Sequence, residues 1–150
     1  MILEFTQGAA LLLALCYLQT VNDRLWGERR LPARISSGVL FGVTCVIGMH
    51  LPVRLDSELI FDGRTVILSM AGLFGGPLVA LIAGLMAASY RAWLGGVGTL
   101  VGIGNVILPV LLGLAYHALH RRGRLPITAW HLLLFGVFLH TLNLLLLAFL

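Results

Sequence analysis

The chain has 150 residues, 59% of them hydrophobic and only 11% charged, with a mean hydropathy of +1.01 and a formal net charge of +4. Soluble domains carry about twice that share of charge, so a core surrounded by water is excluded and the composition describes an integral membrane protein. All ten basic residues are arginine; they cluster between apolar runs without interleaved aromatics, which argues against nucleic-acid binding.

The N-terminus carries Glu4 and no arginine, unlike the positive leading region of a cleaved signal peptide. Leu13 to Cys16 loosely resembles a lipoprotein cleavage box, but Leu15 stands where a small residue belongs. Cys16 and Cys45 lie inside apolar runs and match neither a disulfide framework nor a metal spacing.

A membrane span needs roughly 17 to 25 apolar residues. Phe5 to Val21, Ile35 to Val53, Val97 to Leu119 and Thr128 to Leu150 meet that length and are expected to cross. Between Arg64 and Arg91 the apolar run is interrupted at Gly75-Gly76-Pro77, where Gly-Gly ends one helix and Pro opens the next. Thr65 to Phe74 then covers about 15 Å and Pro77 to Tyr90 about 21 Å at 1.5 Å per residue, both short of a hydrocarbon core of about 30 Å. The expected fold is all-α: one polytopic membrane helix bundle with about six helical segments, two of them forming a short broken hairpin. Such a hairpin returns to the side it left, so Arg64 and Arg91 share one face of the membrane.

Asn22 to Arg34 holds four arginines and His120 to Arg124 holds three. The excess of basic residues in cytoplasmic loops places both segments inside. The N-terminus is then outside, Leu51 to Asp62 forms an external loop, and the loop around Gly95-Gly96 is external too. Arg54, Arg64 and Arg91 stand against that bias. Arg54 has Asp56 and Glu58 nearby and is explained by a long stem reaching from lipid to water.

Asp62 sits where a helix N-cap belongs, with Arg64 in the first turn. A cation is unfavourable at the positive end of a helix dipole, so a carboxylate or an external anion is needed there, and the free NH groups of the helix end favour the same partner. Before Arg91 runs a stripe of small residues, Ala80, Gly84, Ala87 and Ala88, which lets another backbone approach. Gly98, Gly102, Asn105, Pro109 and Gly113 form a matching face expected opposite it. Such stripes are commonly packing seams. Combined with two outer arginines and an intramembrane asparagine, they also describe a pocket with an amide floor and a guanidinium roof. That pocket suits a small carboxylate, which guanidinium grips through two parallel hydrogen bonds. A ligand of about six heavy atoms gains at most roughly 9 kcal/mol, enough for micromolar recognition.

These residues resemble the LytS-type sensor family, bacterial membrane receptor domains joined to histidine kinases or diguanylate cyclases. The resemblance is carried by FDGR at 61–64, AGLFGGP at 71–77 and YRAWLGG at 90–96, and covers about residues 35–150. It implies a single sensor domain for an external small molecule, some members responding to pyruvate-like carboxylates, with Arg64 and Arg91 as the ligand arginines. Where certain pyruvate-sensing members place cysteine and serine, this chain has Gly102 and Asn105. It further implies residence in the bacterial inner membrane, action as a homodimer, and a last span and cytoplasmic output domain beyond Leu150, so that the chain is expected to be a fragment of a longer receptor.

No catalytic set competes with this reading. His117 and His120 lie beside Arg121 at the inner end of a helix and read as interfacial residues rather than metal ligands. His50 reads as an outer-boundary residue, His131 as an inner-rim one, and His140, on a face with Gly136 and Asn143, as a hydrogen-bonding partner of another helix. No nucleophile elbow, zinc-helix motif or phosphate loop is present, and no cofactor is called for. The alternative is a substrate-binding subunit or small transporter, because helices broken at Gly-Pro also build transport sites. A purely structural membrane partner comes third.

Overall fold

The computed structural model describes residues 2–26, 30–50, 53–54, 60–61, 63–96 and 99–149. They form five helices, α1 (Ile2–Trp26), α2 (Arg30–His50), α3 (Gly63–Leu94), α4 (Thr99–Arg121) and α5 (Ala129–Phe149). Two short strands, β1 (Val53–Arg54) and β2 (Ile60–Phe61), lie between α2 and α3 and pair antiparallel, Val53 with Phe61 and Arg54 with Ile60. Among the described residues, Arg30–His50, Arg64–Leu94 and Gly102–Arg121 are long and apolar enough to cross a membrane, and Ala129–Leu142 is a shorter apolar segment.

α3 is not straight. Gly76 has φ 75 and ψ −169, a region open essentially only to glycine, and Pro77 follows it as the first residue of the next helix. The result is the hairpin expected from the sequence, its first arm ending at Gly75 and its second running from Pro77 to Leu94, so that the described residues form six helical segments. The arms exceed the expected ones, because polar residues at both outer ends, Arg64 and Arg91, are helical as well.

The neighbours fix how far the hairpin reaches. On the first arm, Ser69 meets Gly113 and Leu73 bonds His117, an offset of 44 in both cases, so this arm runs parallel to α4. On the second arm, Gly76 meets His117, Gly84 meets Val110 and Arg91 meets Gly102, an antiparallel register. α2 runs parallel to the second arm, Gly38 against Ile82 and Gly42 against Met86. The tip therefore lies at the level of His117, close to the last residue of α4, and the hairpin spans almost the whole length of that helix.

The stripe on α4 is shared between the two arms rather than turned wholly to the second. Gly113 faces the first arm: a Cβ there would lie 3.2 Å from Gly72 Cα and closer still to the Ser69 carbonyl oxygen. Backbone touches backbone at this crossing, which only glycine on both sides allows. Ile67, Leu68 and Ala71 of the first arm and Val79, Ala83 and Ala87 of the second join Cys45 and Val106 in one buried cluster. Outward, Val39, Val43 and Ile47 on α2 and Leu81 and Leu85 on the second arm are exposed, as expected of surfaces covered by lipid tails.

The basic segment 22–34, expected as a loop, is largely helical: Arg24 lies in the last turn of α1, and Arg30 and Arg34 belong to α2. Its polar residues lock the two helices together. Asn22 donates to the Ala33 carbonyl at 3.1 Å and to Ser37 Oγ at 2.9 Å, accepts from Ser36 Oγ, and Ser37 Oγ donates to Gln19 at 2.8 Å. At the other loop, α4 ends in a Schellman turn: Gly123 (φ 70) donates to the His120 carbonyl and Arg124 to that of Leu119. Arg30, Arg34, Arg121, Arg122 and Arg124 thus gather at the end of the bundle that holds the hairpin tip, Arg91 stands at the opposite end, and Arg64 lies at the outer end of the shorter first arm.

Candidate functional site

At that opposite end, the two arms of α3 and the start of α4 come together. Arg91 occupies the last turn of α3, where the negative end of the helix dipole suits a cation. It is half-buried, and its Nη1 donates to the Gly95 carbonyl at 3.4 Å. Gly95 and Gly96 have φ of 65 and 97, left-handed values that reverse the chain toward α4 at little steric cost.

The Arg91 stem lies on α4 at Gly102. A Cβ at Gly102 would come within 2.9 Å of Arg91 Cδ, 3.0 Å of Cγ, and nearer still to Nε. Three residues further along α4, about 4.5 Å deeper at 1.5 Å per residue, stands Asn105. Its Oδ1 is buried and meets no donor among the described residues. Leaving such an acceptor unsatisfied costs about 1–3 kcal/mol.

Arg64 is half-buried in the first turn of the first arm, where the helix dipole opposes it. Extending the offset of 44 sets its backbone about level with Leu108, while Arg91 is level with Gly102. Asn105 falls between those two levels. The structure thus brings Arg91 and Gly102 into contact, places Asn105 one turn deeper, and sets Arg64 about one further turn down on the facing arm. Asp62 and Gly98 lie outside the described residues.

Next to Arg91, Tyr90 ties the second arm to α2. Its hydroxyl donates to His50 Nε2 at 2.8 Å, while His50 Nδ1 bonds the Val46 carbonyl at 3.2 Å. The Tyr90 ring stacks obliquely on His50 at 5.2 Å and meets exposed Trp93 at 5.9 Å. His50 is therefore a specific partner of the arm carrying Arg91, a role its position near the boundary did not reveal.

His117 has a role that the sequence did not reveal. Gly76 breaks the helix and Pro77 has no NH, so the Leu73 carbonyl loses its intrahelical donor; His117 Nδ1 supplies one at 2.7 Å. The ring is half-buried at the hairpin tip, and its bond fixes the Nδ1-protonated tautomer. His120 Nδ1 likewise bonds the Leu125 carbonyl at 2.8 Å. His140 and Gly136 line a cavity of about 110 Å³ between α5 and the first arm, with Thr65, Ser69 and apolar side chains. His131 Nδ1 is buried without a partner among the described residues. No group of side chains among the described residues is arranged to hold a metal ion.

A family model described as 5TMR of 5TMR-LYT matches residues 20–150, beginning within α1. The sensor histidine kinase BtsS of Escherichia coli and that of Shigella flexneri are each 34% identical to this chain over 106 residues, 67% of its length. The chain spans 19% of the length of those relatives. No solved structure matches. An all-helical polytopic bundle, the match over residues 20–150 and the kinship with sensor kinases converge: the chain belongs to the 5TMR-LYT family, and is a membrane sensor domain of the kind found in histidine kinases.

Proposed function

We propose that this domain binds a small external carboxylate at the end of the bundle formed by the two arms of α3 and the start of α4, and relays its occupancy to a cytoplasmic kinase or cyclase. The observation that carries the reading is the Arg91 side chain laid across Gly102, with the unpartnered Asn105 oxygen one turn deeper. Guanidinium supplies charge and paired donors to a carboxylate, and the asparagine amide meets a polar group at the ligand's other end. Arg64 adds a second positive charge from the facing arm, on the far side of the Asn105 level. The concentration of arginines at the tip end favours that end as cytoplasmic, which puts the site outside and the N-terminus outside in the inner membrane. Signal output of this type is commonly exerted by pairs of chains, so the receptor is read as a homodimer.

The test is titration of the detergent-solubilised chain with short monocarboxylates, repeated with Arg64→Ala, Arg91→Ala and Asn105→Leu. Each arginine variant is expected to weaken binding at least about tenfold, the loss of a charge-assisted hydrogen bond of about 1.5–3 kcal/mol. Asn105→Leu should weaken it less. Affinity retained in both arginine variants would sink the reading. Arginine-dependent accumulation of the acid in sealed vesicles would move the assignment to a transporter.

A further inference from the structure

We infer that the cleft between α5 and the first arm of α3 is a phospholipid site: an acyl chain of an anionic lipid lies in the cleft, and the lipid phosphate is held by Arg121, Arg122 and Arg124 at its rim. This site is separate from the one at Arg91 and stands or falls without it.

Gly136 marks the cleft. It lies on an exposed part of α5, and a Cβ built on it would meet no atom within 4 Å. Glycines in packed membrane helices usually let two backbones touch, as Gly72 and Gly113 do. Gly136 instead borders a cavity of about 110 Å³. The lining runs from Leu73 and Leu132 at one end to Thr65 and His140 at the other, eight positions on each helix, or about 12 Å at 1.5 Å per residue. Met70, Phe135 and Leu139 wall its middle. The Ser69 hydroxyl donates to the Val66 carbonyl at 2.9 Å, so it is taken up within its own helix and leaves that wall apolar. A slot of this length and character, open at Gly136 toward the membrane, fits a hydrocarbon chain. Such a chain gains the dispersion contacts that the two helices do not make with each other.

The end of the slot at Leu73 and Leu132 lies beside the loop that joins α4 to α5. Leu73 is bonded to His117, and Arg121 follows one turn later on α4. The loop is held in place from both sides. The Tyr116 hydroxyl donates to the Pro126 carbonyl at 3.0 Å, and His120 Nδ1 bonds the Leu125 carbonyl at 2.8 Å. The Tyr116 ring also meets Phe135 edge-on at 5.1 Å, so one side chain belongs both to the wall of the slot and to the clamp on the loop. Arg121, Arg122 and Arg124 are exposed on this fixed segment. From Gly63 to Leu150 the chain has no acidic residue, so α3, α4 and α5 offer these guanidinium groups no carboxylate. Guanidinium matches phosphate through paired NH donors, groups ordered beforehand lose less on binding, and basic pockets between membrane helices take anionic head groups. Exposed Trp130, in the first turn of α5, adds an interface-seeking ring at the same end. Free phosphate would use the rim alone; the slot makes a lipid the occupant.

The test uses the chain in neutral detergent, with native mass spectra recorded on adding dioleoylphosphatidylglycerol, dioleoylphosphatidylcholine or the chain-free head group glycerophosphoglycerol. The glycerol lipid should be retained at least about tenfold more strongly than the choline lipid, the scale of a charge-assisted hydrogen bond, and the chain-free head group should not be retained. Gly136→Leu, which fills the slot from α5, should weaken retention of the glycerol lipid about tenfold, and Gly136→Ala, too small to disturb the fold, should weaken it in part. Replacing Arg121, Arg122 and Arg124 together by Gln should level the two lipids. Arg64→Ala and Arg91→Ala should change nothing. Retention of the glycerol lipid that is equal in wild type and both Gly136 variants overturns the inference, as does equal retention of the two lipids by wild type. Chain-free head group binding as tightly as the lipid would make the rim a site for a soluble anion, and loss of the lipid in the Arg64 or Arg91 variants would place it at the other end; either result also overturns it.

Discussion

Single residues at the bend of α3 hold the hairpin in shape. The Leu73 carbonyl is deprived of its helical donor by Gly76 and Pro77, and the His117 Nδ1 replaces it at 2.7 Å. His117→Leu should therefore lower stability by about 1–3 kcal/mol, the cost of an orphaned buried acceptor, read as a drop in thermal midpoint in detergent. His117→Gln, which keeps a donor, should recover part of the loss; equal midpoints for Leu and Gln would deny the bond any importance. Gly76→Ala should cost about 1–3 kcal/mol for a different reason, the backbone strain of a side chain at φ 75 and ψ −169. An unchanged midpoint in that variant would mean the bend relaxes freely. The Gly-Gly-Pro signature made the bend legible in the sequence, but the histidine that completes it lies on another helix, at a distance no local pattern encodes.

Among the elements, the closest approach is the crossing of the first arm with α4 at Gly72 and Gly113. Gly113→Val would drive its side chain into the Ser69 carbonyl and Gly72 Cα, and overpacking of this kind costs about 1–3 kcal/mol or more. The change should lower the thermal midpoint and loosen the arm, seen as faster hydrogen exchange over residues 66–73; exchange unaltered there would place the contact elsewhere. Helix number and the hairpin were readable because apolar run length and Gly-Pro punctuation are local properties. The polar stretch 22–34 was not, since hydropathy stops a span at its first arginines while the backbone continues into the headgroup region, where Asn22, Ser36 and Ser37 bond one another. Gly102 was legible as a candidate, from a stripe of small residues and from the family resemblance; its contact with the Arg91 stem depends on where the second arm lands. The partner of Gly113 was misplaced for the same reason, because either arm satisfies the spacing and only the register of 44 chooses between them.

Over the whole molecule, two ends of opposite character emerge, one crowded with arginines around the hairpin tip, the other bearing Arg91, Tyr90 and Trp93. Their sidedness is testable in cells with a chain lacking Cys16 and Cys45. A cysteine replacing exposed Trp93 should react with a membrane-impermeant maleimide from outside, and one replacing Ile127 only after permeabilisation; the reverse pattern would invert the receptor. The doubled-back α3 gives this polarity a mechanical meaning. Its two arms pack together and meet at the bend, so under the carboxylate reading proposed above an anion drawing both guanidinium groups inward would work them like tongs about that fulcrum. On that reading a small closing movement about the ligand arrives at the fulcrum as a change of angle, delivered beside His117 and the last turn of α4.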